Sequence, residues 1–333
     1  MLDLTLTFCL VFMGFVVGIL SSFFGFGGGF ILTPFLINIG IPANIAVGSS
    51  VTQLFMSSAI ASIRHKRLGN VDIRLGLIIA FASVLGTELG AQIIEYLKKS
   101  GVQYLNFIVG VVYVLILGLI SIYMFYESAE LKFREKKGFA QARIRKIKTP
   151  PMITLSQTDS EPISIWIIIL IGLTGGLFSG FLGAGGGFVQ VPLLIYVVGY
   201  KPPIAAGTCT FAILLNCLYA SLSHTLKGNV DFLLAALMFT GSFMGLQIGV
   251  STTKYIKEAS FKTTFSLCIG FTSLSVAIRM SSETFGIAFL GLLSQIIMIL
   301  ATSLVALFIA ALAIRTKHKS IHRISNMMIN EES

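Results

Sequence analysis

Charge is scarce in this chain. Of its 333 residues only 11% are Asp, Glu, Lys or Arg, while 55% are hydrophobic and the mean hydropathy is +0.89. A soluble domain covers its surface with about 25% charged residues, so most of this surface must face lipid. Cysteine is scarce too. Cys9, Cys209, Cys217 and Cys268 each lie inside an apolar stretch without CxxC spacing. That argues against a disulfide framework or a zinc site and for small buried side chains. Acid is scarcer than base, with 14 Asp and Glu against 24 Lys and Arg. The basic residues gather in three places: Arg64, Lys66 and Arg67; the stretch 132–148; and the stretch 315–323. They flank apolar runs as cytoplasmic loops do, so the net charge of +10 does not signal nucleic acid. Met1-Leu2-Asp3 lacks the positive charge of a signal peptide, and no small-residue cleavage site follows it.

What the sequence does have is long apolar runs. Phe107–Tyr126, Ile163–Phe181 and Phe285–Ile314 are continuous rather than alternating. Each is long enough to cross a bilayer core of about 30 Å, and in lipid such runs must be helices. The expected fold is an all-α polytopic membrane protein with about 8–10 transmembrane segments.

The strongest feature is internal repetition. Residues 18–36 read GILSSFFGFGGGFILTPFL and residues 176–194 read GLFSGFLGAGGGFVQVPLL. At this offset of 158, Gly25 meets Gly183, Gly27–Gly29 meet Gly185–Gly187, Phe30 meets Phe188 and Pro34 meets Pro192. One residue is gained in the following loop. At an offset of 159, Ala46–Ser50 meet Ala205–Cys209, His65 meets His224, and Gly69-Asn70-Val71-Asp72 meets Gly228-Asn229-Val230-Asp231. Each half reads as a helix (4–24; 164–182), a glycine break, a short apolar segment (30–39; 188–199), and three spans (43–63, 73–96, 103–125; 204–222, 232–253, 262–279). The domain reading is transmembrane repeat 1 at 1–126, a basic cytoplasmic linker at 127–162, repeat 2 at 163–280, an unpartnered span at 281–314 and a basic cytoplasmic tail at 315–333. Arg64-His65-Lys66-Arg67 becomes Ser223-His224-Thr225-Leu226 in the second half, losing its charge. If each glycine-broken hairpin counts as two crossings, linker and tail are both cytoplasmic, the N-terminus is outside and the repeats are inverted, as in many secondary transporters.

The glycine breaks are the first candidate site. Four glycines in five positions cannot sustain a helix, and inside a membrane the freed N–H groups need partners. A helix restarting at Phe30 or Phe188 would point unpaired donors and a positive dipole end at an anion. Gly27, Gly28, Gly29, Phe30, Gly185, Gly186, Gly187 and Phe188 are therefore candidate substrate-binding residues. The competing reading is a close crossing of small residues. Ser49, Ser50, Thr208 and Thr210 on the following spans add uncharged donors to the candidate set. Thr52, Gln53 and Asn216 read as interhelical hydrogen bonding. The Gly-Asn-Val-Asp turns have a structural explanation: glycine past a helix end, aspartate as N-cap, histidine near a helix C-terminus. Glu88 falls inside a span opposite Gln247 in the repeat, which makes it the proton-coupling candidate.

At Gly25–Phe30 with Pro34, at Gly183–Phe188 with Pro192, and at the two Gly-Asn-Val-Asp turns, the chain resembles the TauE/SafE sulfite-exporter family, also called the toluene-sulfonate uptake permease family. The resemblance covers nearly the whole chain apart from the linker, the tail and the last span. It implies transport of small sulfur-containing anions, such as sulfite or organosulfonates, across a bacterial inner membrane. The long basic linker departs from the family pattern. The expected function is a secondary transporter, with an anion channel of similar build as the alternative. A membrane-embedded enzyme is disfavoured, because no Ser/His/Asp set, metal cluster or HExxH occurs. The expected partners are a small anion, the lipid bilayer, a proton or another coupling ion, and a second copy of the chain in a homodimer. No cofactor, metal or nucleic acid is expected.

Overall fold

The computed structural model describes residues 4–133, 149–154 and 162–331. Its regular structure is helical among the described residues, save a two-residue antiparallel pairing of β1 (Met152–Ile153) with β2 (Ile163–Ser164). The helices are α1 (Leu4–Phe24), α2 (Gly29–Asn38), α3 (Ala43–Arg67), α4 (Ile73–Lys98), α5 (Val102–Phe133), α6 (Ile165–Leu182), α7 (Gly187–Leu193), α8 (Pro202–Leu226), α9 (Phe232–Thr252), α10 (Glu258–Phe285) and α11 (Ala288–Glu331). A π-turn, Leu194–Val198, prolongs α7. Among the described residues, nine helices are long and apolar enough to cross a membrane, and α2 and α7 are the short ones.

The helix ends follow the local chemistry. Gly69 and Gly228 take the left-handed conformation at φ 74° and 69°. Asp72 then caps α4 by accepting from Leu75 N, and Asp231 caps α9 by accepting from Leu233 N and Leu234 N. α5 runs on to Phe133, past the boundary at 126 read from hydropathy. The reason is packing: Ser128 Oγ donates to Ala259 O of α10 at 3.2 Å, holding the extra turns in place. Most of the expected linker, 134–148 and 155–161, lies outside the described residues. So do residues 332–333 and all the side chains of the basic tail.

Helix directions can be read from contacts. α3 and α8 are equivalent by sequence, yet they run antiparallel. Ser49 near the start of α3 accepts from Asp231 N just past α8, and Thr208 near the start of α8 accepts from Asp72 N just past α3, both at 2.9 Å. α5 and α10 are also antiparallel: Ser273 Oγ donates to Val114 O, and Ser121 Oγ to Ser266 O. α1 lies parallel to α9, with Ser22 Oγ donating to Leu246 O. α4 lies parallel to α6, with Ser83 and Thr87 donating to Gly172 O and Gly176 O. Glycine stripes make these last crossings close. A methyl group at Gly18 would lie 2.5 Å from Ser242 O, and one at Gly176 would lie 2.0 Å from Ser83 O. Since α9 reverses α8 and α8 opposes α3, helices α1 and α3 point the same way. The short α2, about 15 Å long, must therefore carry the chain back between them as a re-entrant segment. The same reasoning makes α7 re-entrant.

α3 and α8 form the centre, with 72% and 61% of their spans buried. α5 and α11 are peripheral at 28% and 22%.

Candidate functional site

The two glycine breaks meet inside the bundle. A methyl group added to Gly29 would lie 2.1 Å from Gly183 O, and one on Gly187 would lie 2.5 Å from Phe26 Cα. The backbones of the two halves are thus in direct contact there, as only glycine permits. Gly27 and Gly28 have φ of 87° and 89°, and Gly185 and Gly186 have φ of 71° and 79°, so each break is a left-handed pair feeding a new helix. Gly28 and Gly186 are the N-cap positions of α2 and α7.

Phe30 and Phe188 are fully buried with ring centroids 6.0 Å apart. Leu54 of α3 and Ile213 of α8, equivalent by sequence, fill the space between the breaks. Both lie within 3.6 Å of a Cβ built at Gly27. Both also lie within 3.5 Å of one built at Gly185. Phe24 packs edge-on against Phe261 and Phe265 of α10, and Phe26 edge-on against Phe265, so the first break rests on an aromatic bed.

The first helix bonds after the breaks run from Ile31 N and Leu32 N to Gly28 O, and from Val189 N and Gln190 N to Gly186 O. The N–H groups of Gly27, Gly28, Gly29 and Phe30, and of Gly185, Gly186, Gly187 and Phe188, have no acceptor among the described residues. All eight residues are buried. Buried backbone donors are almost always paired, so two neighbouring sets of unpaired ones are unusual and suited to an acceptor-rich ligand.

The candidate hydroxyls divide into two groups. Ser49 and Thr208 are tethers between the halves, each accepting the N–H of the other half's capping aspartate. Thr210 donates back to Ala206 O of its own helix. Ser50 Oγ is buried with no hydrogen-bond partner among the described residues. Thr52 pairs with Ser221 across the α3–α8 contact, Asn216 accepts from Thr87, and Gln53 Nε2 donates to Ser57.

The two histidines cap the helices that end at the breaks. His65 Nε2 lies 2.8 Å from Ser22 O and His224 Nε2 lies 3.1 Å from Gly180 O. These carbonyls belong to the last turns of α1 and α6, whose helical partners the glycines removed. Sequence spacing placed the histidines in the last turns of their own helices, where they are; it could not reveal that their rings reach carbonyls of other helices.

Glu88 is not a lone acid in lipid. It is half-buried and receives Lys227 Nζ at 2.9 Å, Ser223 Oγ at 2.8 Å and Tyr219 Oη at 3.0 Å. Its neighbours come from the far end of α8, and the pair resembles a structural ion pair. Sequence reading missed three further features. Gln190 bridges Ser83 Oγ and Cys209 Sγ. The Tyr200 phenol donates to Asp72 Oδ2 at 2.6 Å, and burial together with that carboxylate holds it well above its usual range. Lys262 is buried against Glu127, Glu258 and Tyr196. Only an amide or a charge inside an apolar run could have flagged them. Among the described residues no group of metal-ligating side chains occurs.

Comparison with known proteins finds probable membrane transporters. The family model described as Sulfite exporter TauE/SafE matches residues 10–280. A probable membrane transporter protein of Bacillus subtilis, YunE, is 26% identical over 74% of this chain and 88% of its own. A second from the same organism, YjnA, is 29% identical over 72% and 87%. The Arabidopsis thaliana sulfite exporter TauE/SafE family protein 6 is 26% identical over 29% of this chain and 23% of its own. No solved structure matches.

Proposed function

Because the chain belongs to the sulfite exporter TauE/SafE family, we propose that it is a secondary transporter for a small sulfur oxyanion or organosulfonate, bound between the two glycine breaks. The observation that carries this reading is the set of buried N–H groups at Gly27–Phe30 and Gly185–Phe188 that have no acceptor among the described residues. Such donors stabilise an anion without a fixed counter-charge, so the ligand is released without breaking a salt bridge. Ser50 Oγ is a further donor on the adjacent helix. Leu54 and Ile213 close the space between the breaks, and alternating access moves one of them aside at a time.

The antiparallel course of the equivalent pairs α3/α8 and α5/α10 supports inverted repeats, with the pseudo-two-fold axis in the membrane plane. The α3–α4 turn with Arg64, Lys66 and Arg67, the end of α5, and Lys254 and Lys257 before α10 then share one side. The positive-inside rule makes that side cytoplasmic and puts the N-terminus outside.

The test is uptake of radiolabelled sulfite into proteoliposomes of the purified protein. Saturable uptake, competed by sulfonates and not by acetate, is expected. Flux that rises linearly with concentration would make the protein an anion channel, and no flux of any of these anions would overturn the reading.

A further inference from the structure

A second cluster of polar groups lies at the linker side of the bundle, away from the breaks. Lys262, in the second turn of α10, is 3% exposed. Its Nζ is 2.8 Å from Glu258 Oε1 on the same helix and 3.6 Å from Glu127 Oε1 on α5. The ring of Tyr196 covers the ammonium at 4.5 Å, and Tyr123 packs edge-on against that ring at 5.3 Å. The groups facing Glu127 are thus Lys262 and Glu258 of α10, Tyr123 of its own helix and Tyr196 of the π-turn. One ammonium serves two carboxylates, and the less exposed of these, Glu127, is the farther from it. Where two acids share one counter-charge in a poorly solvated site, one of them readily takes up a proton.

The cluster is wired to both glycine breaks. Phe261, next to Lys262, packs on Phe23 and Phe24 with centroids 5.8 and 5.2 Å apart. Tyr196 sits in the π-turn that continues the helix starting at Gly187, and π-turns inside helices frequently mark functional sites.

We propose that Glu127, with Lys262 and Tyr196, is the proton-binding site that couples to anion movement between the breaks. This rests on the transport reading above. A proton from the linker-side solvent forms an O–H bond on the Glu127 carboxylate, while Lys262 keeps its own proton and pairs with Glu258 alone. The ionic tie between α5 and α10 is lost, and Tyr196 moves with α7. Charged Glu127 holds the re-entrant helix closed, and neutral Glu127 releases it.

Two measurements test this. In the first, sulfite uptake into proteoliposomes is compared with and without a proton gradient. A gradient should change the rate about tenfold in the wild type and in Glu88→Gln, and less than about twofold in Glu127→Gln. A wild-type-like response in Glu127→Gln overturns the proposal. The second needs no substrate. Spin labels are placed at Ile120→Cys and Leu193→Cys, on the walls of the groove shared with Tyr123 and Tyr196, in a Cys9→Ser background. Their separation should change by about 5 Å between acid and alkaline pH when Glu127 is present, and stay constant in Glu127→Gln. The same pH response in both proteins, or none in the Glu127-bearing protein, overturns the proposal. If the wild type carries no sulfite, the substrate reading fails and the spin-label result alone decides. If Glu127→Gln does not fold, Tyr196→Phe takes its place and should move the midpoint of the spin-label profile by about one pH unit; an unmoved midpoint overturns the proposal.

Discussion

The centre of the bundle and its linker-side rim handle polar groups in lipid in opposite ways. At the centre the polar groups are uncharged backbone donors and hydroxyls, and their bonds come in equivalent pairs: Ser49 with Asp231 and Thr208 with Asp72, His65 with Ser22 and His224 with Gly180. At the rim they are charged and one-sided, with a single buried lysine between two carboxylates. A symmetric neutral site serves both faces of the membrane alike. An asymmetric charged one can tell the two faces apart.

The largest expected effect tests whether contact between the breaks is essential. Gly29→Ala and Gly187→Ala drive a methyl group into backbone of the other half and should cost about 3 kcal/mol or more, seen as loss of monodisperse protein in detergent. Gly69→Ala sits at positive φ, as Gly29 and Gly187 do not, but meets nothing within 4 Å, and should cost about 1 kcal/mol. Equal damage at both places would mean that left-handed backbone strain at Gly69 costs as much as contact between the breaks. Gly28→Leu is a poor test of substrate binding, because a Cβ there already meets Val17 Cγ1 at 2.3 Å.

Next come Leu54→Ala and Ile213→Ala. Each should lower thermal stability by about 2–3 kcal/mol and raise anion leak through the emptied space. A stable, tight variant at either position would show that the plug is not the gate. Ser49→Ala and Thr208→Val should each cost about 1 kcal/mol in denaturation of the purified protein. A clear inequality between them would break the equivalence of the halves. The smallest effect is expected for Glu88→Gln. Its side chain is 32% exposed, so the Lys227 pair is worth at most about 1 kcal/mol. The pH profile of uptake should not change. A shifted profile would return Glu88 to the coupling mechanism.

Much of this was legible in the sequence. The turns at Gly69 and Gly228 and the caps at Asp72 and Asp231 were, because they are local. So were the nine long spans, which depend only on apolar length. Glu88 was legible as an acid inside a span, but its partner was not: Lys227 is remote in sequence and reaches it only through the α4–α8 contact. Lys262 was passed over because it sits at a span end, where a lysine normally reaches solvent.

The sequence by itself determined the membrane, the helices and the places where helices must break. Each follows from composition or from glycine's lack of a Cβ. Only the tertiary structure decided that the two breaks touch, that equivalent helices run antiparallel, and which carbonyl each histidine caps. These depend on contacts between residues 43 to 182 apart in the chain, fixed by the close packing of glycine-lined helices. Hydrophobic pattern sets each helix in lipid but says nothing about which neighbour it finds.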